Sequence, residues 1–272
     1  MDAKRIAFIG AGNMAHALIA GIVKSGYHAK QIIASDPNQA QLDSLAAQYG
    51  IETTQNNHQA VEQADVVVLA VKPQLMAEVC QPLAAIEMGD KLVISIAAGI
   101  SVSRLNAIFA TELKLVRVMP NTPALLGEGM SGLFASANTQ ADERTFAEKL
   151  LQAVGKTCWV QEESEINTII AASGSAPAYF FLFMEAMQKA AMAKGLDQNT
   201  ARLLVQQSAL GAAKMVIENP QTDIATLREQ VTSKGGTTAE ALRVFAEQQL
   251  EQTVAEAMQA AYDRGQAMEQ LF

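Results

Sequence analysis

Short apolar runs alternate with amphipathic segments over the first 160 residues of the chain. Runs rich in Ile, Val and Leu are typical of strands buried on both faces of a parallel sheet, and they occupy residues 6–9, 31–35, 51–54, 65–71, 91–97 and 115–119. Residues 130–135 and 157–160 would extend the same sheet. Helical segments lie between the runs, from about residue 13, over 38–49 and over 141–154. This alternation predicts an α/β fold with a doubly wound parallel sheet.

The pattern changes at about Glu162, after which helical periodicity replaces the strand runs. Helices are predicted over residues 200–218, 222–231, 237–246 and 251–271. Residues 167–184 carry no charge, but Ser173, Gly174, Ser175 and Pro177 interrupt them. We therefore interpret this stretch as a helix buried in a bundle or in a subunit interface rather than as a membrane span. The sequence thus predicts two domains, residues 1–161 with the sheet and an all-helical domain at 162–272 that pairs with a second copy.

Composition and charge narrow the class of function. The net charge of -8, without a basic cluster, argues against a nucleic-acid partner. Cys80 and Cys158 lie far apart, as in proteins of a reducing compartment, and the three histidines have no metal-ligand spacing, so no metal site is predicted. The chain starts with Asp2, Lys4 and Arg5 before a strand-length run, which is unlike a signal peptide. We expect a cytoplasmic protein without a membrane partner.

A glycine-rich turn joins the first strand to the first helix. Residues 10–15 read GAGNMA, which fits the pattern G-x-G-x-x-A. Gly10 permits the tight turn, Gly12 lets the backbone approach a pyrophosphate, and Ala15 lets the helix pack close to the strand. The free amides at the helix N-terminus then face the phosphates. The alternative is a turn that binds nothing, but its position between a strand and a helix favours dinucleotide binding, which we assign to residues 1–161.

The end of the second strand bears on the choice of coenzyme. In NAD-binding folds an acid about 20 residues beyond the last small residue of the loop holds the ribose 2′-hydroxyl. Counting from Ala15 reaches Ser35, with Asp36 one place later. A serine can hydrogen-bond a 2′-phosphate, which a carboxylate would repel. We interpret Asp36 as a helix N-cap followed by Pro37 at the first helical position, and so favour NADP over NAD.

Three more strand ends fall at the carboxyl edge of the predicted sheet, where doubly wound folds bind ligands. Lys72 and Pro73 follow the fourth strand, and Lys72 either faces the coenzyme or solvates the edge. Ala98 and Gly99 follow the fifth strand and leave room for a ring. Residues 120–123 (PNTP) follow the sixth strand and form either a shaped wall beside a nicotinamide or only a stiff turn.

A second glycine-rich stretch lies in the predicted helical domain, where residues 232–242 read TSKGGTTAEAL. Two glycines followed by two hydroxyl residues at a helix start can bind an anion. Because no strand precedes it, a small carboxylate suits this site better than a dinucleotide. The alternative is a helix cap in which Thr237 or Thr238 is the N-cap.

Six motifs in this order resemble those of the pyrroline-5-carboxylate reductases. They are GAGNMA at 10–15, AVKP at 70–73, SIAAG at 95–99, MPNTPA at 119–124, SGSAPAY at 173–179 and SKGGTTAEAL at 233–242. The similarity covers essentially the whole chain, and the last three motifs are more specific than a dinucleotide fingerprint. Lys234 stands where the family usually has proline, and Ala176 where glycine is common. These departures bear on loop rigidity and remove no chemical group.

The resemblance implies a reaction and a role for each matching residue. Such enzymes transfer a hydride from NAD(P)H to the C=N bond of 1-pyrroline-5-carboxylate, giving L-proline in the last step of its biosynthesis, and they form homodimers that in some members assemble into decamers. The pyrophosphate would lie against Gly10, Ala11, Gly12, Asn13 and Met14. The 2′-phosphate would meet Ser35 and Asn57, the latter in the turn after the third strand. The nicotinamide side would be lined by Ala70, Val71, Lys72, Pro73, Ala97 and Asn121. The substrate would be held by Glu163, Gly236, Thr237 and Thr238, with Thr238 the candidate catalytic residue.

Two other functions stay open on the sequence alone. One is a different imine or keto-acid reductase of the same architecture, such as a β-hydroxyacid dehydrogenase, which needs a catalytic lysine on a helix of the second domain. Lys189, Lys194 and Lys214 lie there but in no matching motif. The other is a non-catalytic protein that senses a dinucleotide. Turnover of pyrroline-5-carboxylate distinguishes all three.

Overall fold

An eight-stranded sheet forms the centre of the first part of the chain. The computed structural model describes residues 4–271, and its strands lie in the order β3-β2-β1-β4-β5-β6-β7-β8. They are β1 (Ile6–Ile9), β2 (Ile32–Ser35), β3 (Glu52–Thr54), β4 (Val66–Leu69), β5 (Leu92–Ser95), β6 (Lys114–Met119), β7 (Gly129–Ala135) and β8 (Gly155–Trp159). Neighbouring strands are parallel except β6 and β7, which are antiparallel. The predicted doubly wound sheet is confirmed, with two reversed strands at one edge, β7 and β8, a direction that an apolar run cannot reveal.

The carboxyl ends of the central strands are level with one another. Ile9 pairs in register with Ser35 on one side and with Leu69 on the other, Leu69 pairs with Ser95, and Ser95 pairs with Arg117. The order of strands reverses between β1 and β4, since β2 lies on one side of β1 and β4 on the other. In open α/β sheets ligands bind at such a switch point, outside the carboxyl ends. The register therefore places the predicted ligand edge along these residues.

Helices connect the strands on both faces of the sheet. They are α1 (Asn13–Lys24), α2 (Gln39–Tyr49), α3 (Asn57–Glu62), α4 (Met76–Cys80), α5 (Val102–Phe109) and α6 (Ala141–Gln152). Of these, α3, α4 and α5 were not predicted, because segments of 6, 5 and 8 residues are too short to show a helical period.

The start of α2 differs from the expectation. The Asn38 side chain accepts hydrogen bonds from the backbone N–H groups of Ala40 and Gln41, so Asn38 is the N-cap and the interpretation of Asp36 as the cap was wrong. Pro37 accordingly precedes the helix instead of opening it.

Two apolar clusters cover the faces of the sheet. Ile6 and Phe8 face one cluster, which α1 and α6 complete, while Ala7 and Ile9 face the other with α3, α4 and α5. All four side chains of β1 are fully buried. Burial on both faces explains why these strands read as continuous apolar runs.

The remainder of the described chain is helical, as predicted. It contains α7 (Glu165–Ile169), one turn of π-helix (Ile170–Gly174), α8 (Ala176–Ala193), α9 (Gln198–Glu218), α10 (Ile224–Gln230), α11 (Thr237–Glu247) and α12 (Leu250–Glu269).

The chain packs as two compact units. Ala176–Gln259 form one, hereafter the helical unit, and the described residues before and after it form the other, the sheet unit. The predicted boundary after residue 161 precedes α7, which packs with the sheet unit together with the π-helical turn and the end of α12. The predicted domains include residues 1–3 and 272, which lie outside the described part.

The uncharged stretch is exposed over much of its length. Glu165–Ala193 is long and apolar enough to cross a membrane by length and composition alone, with 22% of its most apolar window buried. Phe180, Phe181 and Leu182 are 68%, 62% and 67% exposed. Within this chain α8 is therefore not a buried helix of a bundle, and its burial in a subunit interface stays a prediction.

Candidate functional site

The glycine-rich turn adopts a conformation that needs its first glycine. Gly10 has φ +100°, and a Cβ there would lie 2.7 Å from the carbonyl oxygen of Ala70. Its N–H donates to the Ser35 carbonyl at 2.8 Å, so the turn is fixed between the ends of β2 and β4. Gly12 is the N-cap of α1 and supplies no side-chain cap, so the amides of the first turn can bind an anion. Residues 10–14 thus form a turn at the switch point, hereafter the cradle, whose free amides suit a phosphate.

Asp36 braces this cradle. Its carboxylate accepts a hydrogen bond from the Ala11 N–H at 2.8 Å through Oδ2 and one from the Asn38 N–H at 2.8 Å through Oδ1. The acid that sequence reasoning assigned to a helix cap therefore ties the end of β2 to the glycine-rich turn. Its two oxygens are already engaged by the backbone.

Ser35 and Asn57 meet, as the resemblance implied. Ser35 is fully buried and donates its hydroxyl proton to Asn57 Oδ1 at 2.6 Å. This bond turns the Asn57 amide nitrogen, a donor, away from Ser35. Asn57 is the first residue of α3 rather than part of a turn. A cavity of about 560 Å³ beside it is lined by Asn56, Asn57, His58, Glu78, Val79 and Pro82.

The motifs after β4 and β5 also lie on the carboxyl edge. Pro73 begins a short 3₁₀ turn, and Lys72 before it is exposed. Ala97 is largely buried. Gly99 has φ +73°, and a Cβ there would lie 2.7 Å from the Met268 Cβ in α12. The room expected above Gly99 is therefore filled by Met268.

Asn121 is held at both ends of its amide. Its Nδ2 donates to the carbonyl and the hydroxyl of Ser173, each at 3.2 Å, while Oδ1 accepts the Met130 N–H at 2.9 Å. These bonds fix the proline-flanked loop after β6 against the π-helical turn. The stiffness expected of residues 120–123 has this physical basis, and their place beside a nicotinamide stays a prediction.

A buried charge cluster lies at the same edge and was not predicted. The Arg117 guanidinium in β6 contacts the carboxylates of Glu163 at 2.5 Å and Glu269 at 3.1 Å, and its own side chain is 3% exposed. Glu163 also accepts the Val102 N–H at 2.7 Å. The sequence held one signal of this cluster, an arginine inside the apolar strand KLVRVM.

The second glycine-rich stretch lies in the helical unit. Gly235 has φ +72°, and a Cβ on Gly236 would lie 2.4 Å from the Ser233 hydroxyl oxygen. Gly236 is the N-cap of α11, so Thr237 and Thr238 occupy its first two helical positions and the interpretation of either as N-cap was wrong. As at α1, no side chain caps the helix, and its first amides suit a carboxylate.

The two thiols are protonated near neutral pH, and residues 4–271 contain no candidate metal site. Burial raises the pKa of Cys80 to about 12 and also raises that of Cys158, so neither thiol is ionised near neutral pH. Among residues 4–271, no group of three His, Cys, Asp or Glu could hold a metal ion. The sheet unit thus offers free helix-start amides that suit a dinucleotide phosphate, and the helical unit, taken by itself, offers a helix start that suits a small anion.

Comparisons with known proteins agree along the whole chain. Residues 163–268 match the family described as pyrroline-5-carboxylate reductase dimerisation, and residues 5–99 match the one described as NADP oxidoreductase coenzyme F420-dependent. The chain is 61% identical over 272 residues to the pyrroline-5-carboxylate reductase of Vibrio alginolyticus, with 100% of each chain covered.

Solved structures give the same result. A pyrroline-5-carboxylate reductase from Coxiella burnetii has a TM-score of 0.93 at 40% identity, covering 98% of this chain and 99% of that one. The Plasmodium falciparum pyrroline carboxylate reductase with NADP bound has a TM-score of 0.88 at 27% identity, covering 99% of each chain.

Proposed function

The chain belongs to the pyrroline-5-carboxylate reductase family, and from this premise we propose that it reduces the C=N bond of 1-pyrroline-5-carboxylate with NADPH to give L-proline. The observation that carries the proposal is the identity of 61% to such an enzyme over the full length of both chains. The reaction is the last step of proline biosynthesis. We assign the protein to the cytoplasm and to a small-molecule substrate.

The residues of the sheet unit fit NADP. A Cβ on Gly12 would meet no atom within 4 Å, which leaves open space at the turn, and the uncapped start of α1 offers its amides to the pyrophosphate. The Asn57 amide, turned by Ser35, is a neutral donor for the 2′-phosphate. Residues 70–73, Ala97 and Asn121 would line the nicotinamide side of the edge. When bound, the coenzyme supplies the hydride.

The remaining residues would orient the substrate. Gly236, Thr237 and Thr238 at the uncapped start of α11 would hold its carboxylate. Glu163, at the carboxyl edge of the sheet, would lie near its ring nitrogen. Little more is asked of the protein than alignment and compensation of charge, because hydride transfer needs no covalent intermediate.

Assembly is part of the proposal. The match of residues 163–268 to a dimerisation family supports a homo-oligomer. We propose a homodimer built through α8 and its neighbours, on which larger assemblies such as a decamer can be formed. The exposed apolar side chains of α8 are consistent with such an interface.

The decisive experiment is a turnover assay with the purified protein. Loss of NADPH absorbance on addition of pyrroline-5-carboxylate, with L-proline as product, is the expected result. A parallel assay of NADP reduction with 3-hydroxy acids tests the dehydrogenase alternative. Binding of NADPH without turnover of either class of substrate would contradict the proposed function and favour a dinucleotide sensor.

A further inference from the structure

Arg117 places a cation inside a buried sheet. Its residue exposure is 2%, and it lies in β6 in register with Ser95, the last residue of β5. A charge so enclosed is tolerated only when it is paired and hydrogen-bonded. Its Nη1 donates to Glu163, and Nη1 and Nη2 both donate to Glu269 at 3.1 Å. Arg117 itself is too enclosed to touch a bound molecule.

The cluster joins three segments that are distant in sequence. Glu163 lies 46 residues after Arg117, and Glu269, in the last turn of α12, lies 152 residues after it. The Val102 N–H, at the start of α5, donates to the same carboxylate of Glu163. Since α5 follows the loop after β5, all of these groups lie at the carboxyl edge of the sheet, on the side where doubly wound folds bind ligands.

Glu163 is the member of the cluster that can meet a ligand. The hydrogen bonds from Arg117 and Val102 both end on its Oε1, and 29% of its side chain is exposed. Its Oε2 can therefore accept a proton donor from a bound molecule. The proposed substrate carries one carboxylate and one imine nitrogen, and an ionised glutamate attracts only the second, in its protonated form.

The last turn of α12 packs closely against neighbouring residues of the sheet unit. A Cβ on Gly265 would lie 2.6 Å from Asn167 Oδ1, and the Cβ of Met268 occupies the space above Gly99. Glu269 follows directly and reaches Arg117. The position of this turn therefore fixes the position of the Glu269 carboxylate, and through Arg117 that of Glu163.

We propose that Arg117 and Glu269 are positioning residues that hold Glu163 against the protonated imine nitrogen of the substrate, so that the end of α12 is a functional part of the site. The inference rests on the proposed function. In the step concerned, the hydride from NADPH bonds to the imine carbon and the C=N π pair moves onto the nitrogen. The nitrogen keeps the proton it already carries, and NADP⁺ is left. Glu163 favours the protonated imine, which is the better hydride acceptor.

A kinetic double-mutant cycle tests the proposal. Glu163→Gln should lower kcat/KM for pyrroline-5-carboxylate about 10- to 100-fold, the usual effect of losing one bond to a charged group. Glu269→Gln should lower it about 3- to 10-fold, a moderate coupling. The double variant should be no slower than Glu163→Gln alone, because Glu269 acts through Glu163. NADPH affinity, measured by fluorescence titration, should stay unchanged in all three.

Arg243 supplies the matched control. Like Arg117 it pairs with two glutamates, Glu240 at 3.0 Å and Glu247 at 2.6 Å, but its side chain is 53% exposed. Arg117→Lys should lower kcat/KM for the substrate, since an ammonium group cannot hold both carboxylates in this geometry, whereas Arg243→Lys should retain the activity of the unmodified protein. Melting temperatures identify any variant that is merely unfolded.

Three results would overturn the inference alone: unchanged kinetics in Glu269→Gln, effects of the two glutamines that multiply in the double variant, or an equal loss in Arg243→Lys. Absence of turnover by the unmodified protein would instead overturn the proposed function, and the inference with it.

Discussion

The two units of this chain differ sharply in how much of their apolar surface they bury. In the sheet unit every side chain of β1, β2, β4 and β5 is buried. Across Ala176–Gln259 the buried apolar residues are only Ala201, Val205 and Leu227. Helices with so few buried side chains contribute little stability by themselves, because burial of an apolar face provides most of the stability of a helix in a protein. The sheet unit is therefore stabilised within one chain, whereas we propose that the helical unit gains stability from a second.

The exposed apolar side chains mark the surface on which we propose that a second chain binds. Large apolar side chains stand on α8, α9 and their neighbours, among them Phe180, Phe181, Leu182, Phe183, Leu203, Leu204 and Ile217. Full burial of each such side chain is worth about 1.5–3 kcal/mol. Exposed apolar patches of this extent mark protein interfaces. The contrast predicts that the helical unit unfolds before the sheet unit when association of two chains is blocked.

The largest effect is expected from a charged residue placed on the exposed apolar face of α8. Phe181→Glu should convert the oligomer to monomer and abolish most turnover, because a carboxylate cannot be buried unpaired in an apolar interface. Light scattering coupled to size-exclusion chromatography, together with the turnover assay, measures both effects. Lys189→Gln on the same helix is the control and should change neither. A stable, active monomer of the unmodified protein at micromolar concentration would contradict the interface.

Removal of a paired cation should affect the two units differently. Arg117→Met leaves Glu163 and Glu269 without compensation and should cost about 3–5 kcal/mol of unfolding free energy, seen as a fall in melting temperature of about 10 °C. Arg243→Met removes a cation with two equivalent partners at the surface and should leave the melting temperature unchanged. Equal shifts in the two variants would mean that burial of Arg117 carries no energetic weight.

In the helical unit, Thr238 tests the substrate side. Because Thr238 is not the N-cap of α11, Thr238→Ala should leave the melting temperature unchanged. It should lower kcat/KM for pyrroline-5-carboxylate by roughly 10- to 100-fold, equivalent to about 1.5–3 kcal/mol, with NADPH affinity intact. Thr238→Ser should keep most activity. Thr253→Ala, an exposed helical threonine of the same unit, is the control; a melting temperature that falls with normal kinetics would assign Thr238 a structural role only.

In the sheet unit, Ser35 tests the coenzyme side and should give the smallest effect. Ser35→Asp places a negative charge beside Asn57 and should lower the preference for NADPH over NADH about tenfold by repelling the 2′-phosphate. Steady-state kinetics with both coenzymes measure the ratio, and Ser44→Asp on α2 is the charge control. An unchanged ratio would mean that Ser35 does not act at the ribose.

The parts of the fold that could be predicted are those encoded by local pattern. Short, largely apolar runs identified β1, β4 and β5, because burial on both faces leaves few polar positions to interrupt them. Residues 10–15 predicted a tight turn between β1 and α1, and the structure confirms it, since a Cβ on Gly10 would lie 2.7 Å from the Ala70 carbonyl oxygen. Phosphate binding by this turn stays a prediction. Long segments with helical periodicity, such as α9, were also predicted, because their pattern too is local.

The parts that could not be predicted depend on partners far apart in the chain. Asp36 was assigned to a cap beside it, whereas its carboxylate bonds the Ala11 N–H, 25 residues away. The direction of β7 is set by its pairing with β6, which its own residues do not record. Arg117 is a charge inside an apolar run, a signal that the prediction did not use, and the identity of its two glutamates is determined only by the folded chain.

The last turn of α12 also has a consequence for how the protein is made. Glu269 is synthesised 152 residues after Arg117, although both belong to one compact unit. Non-local contacts of this kind delay folding, and domains commonly fold as units during synthesis. The sheet unit can start to fold early, but its buried arginine gains its second carboxylate only when residue 269 has left the ribosome. A chain truncated before this turn would thus bury a cation that lacks one of its two carboxylates. Such a chain would be less stable and would be degraded more readily by cellular proteases.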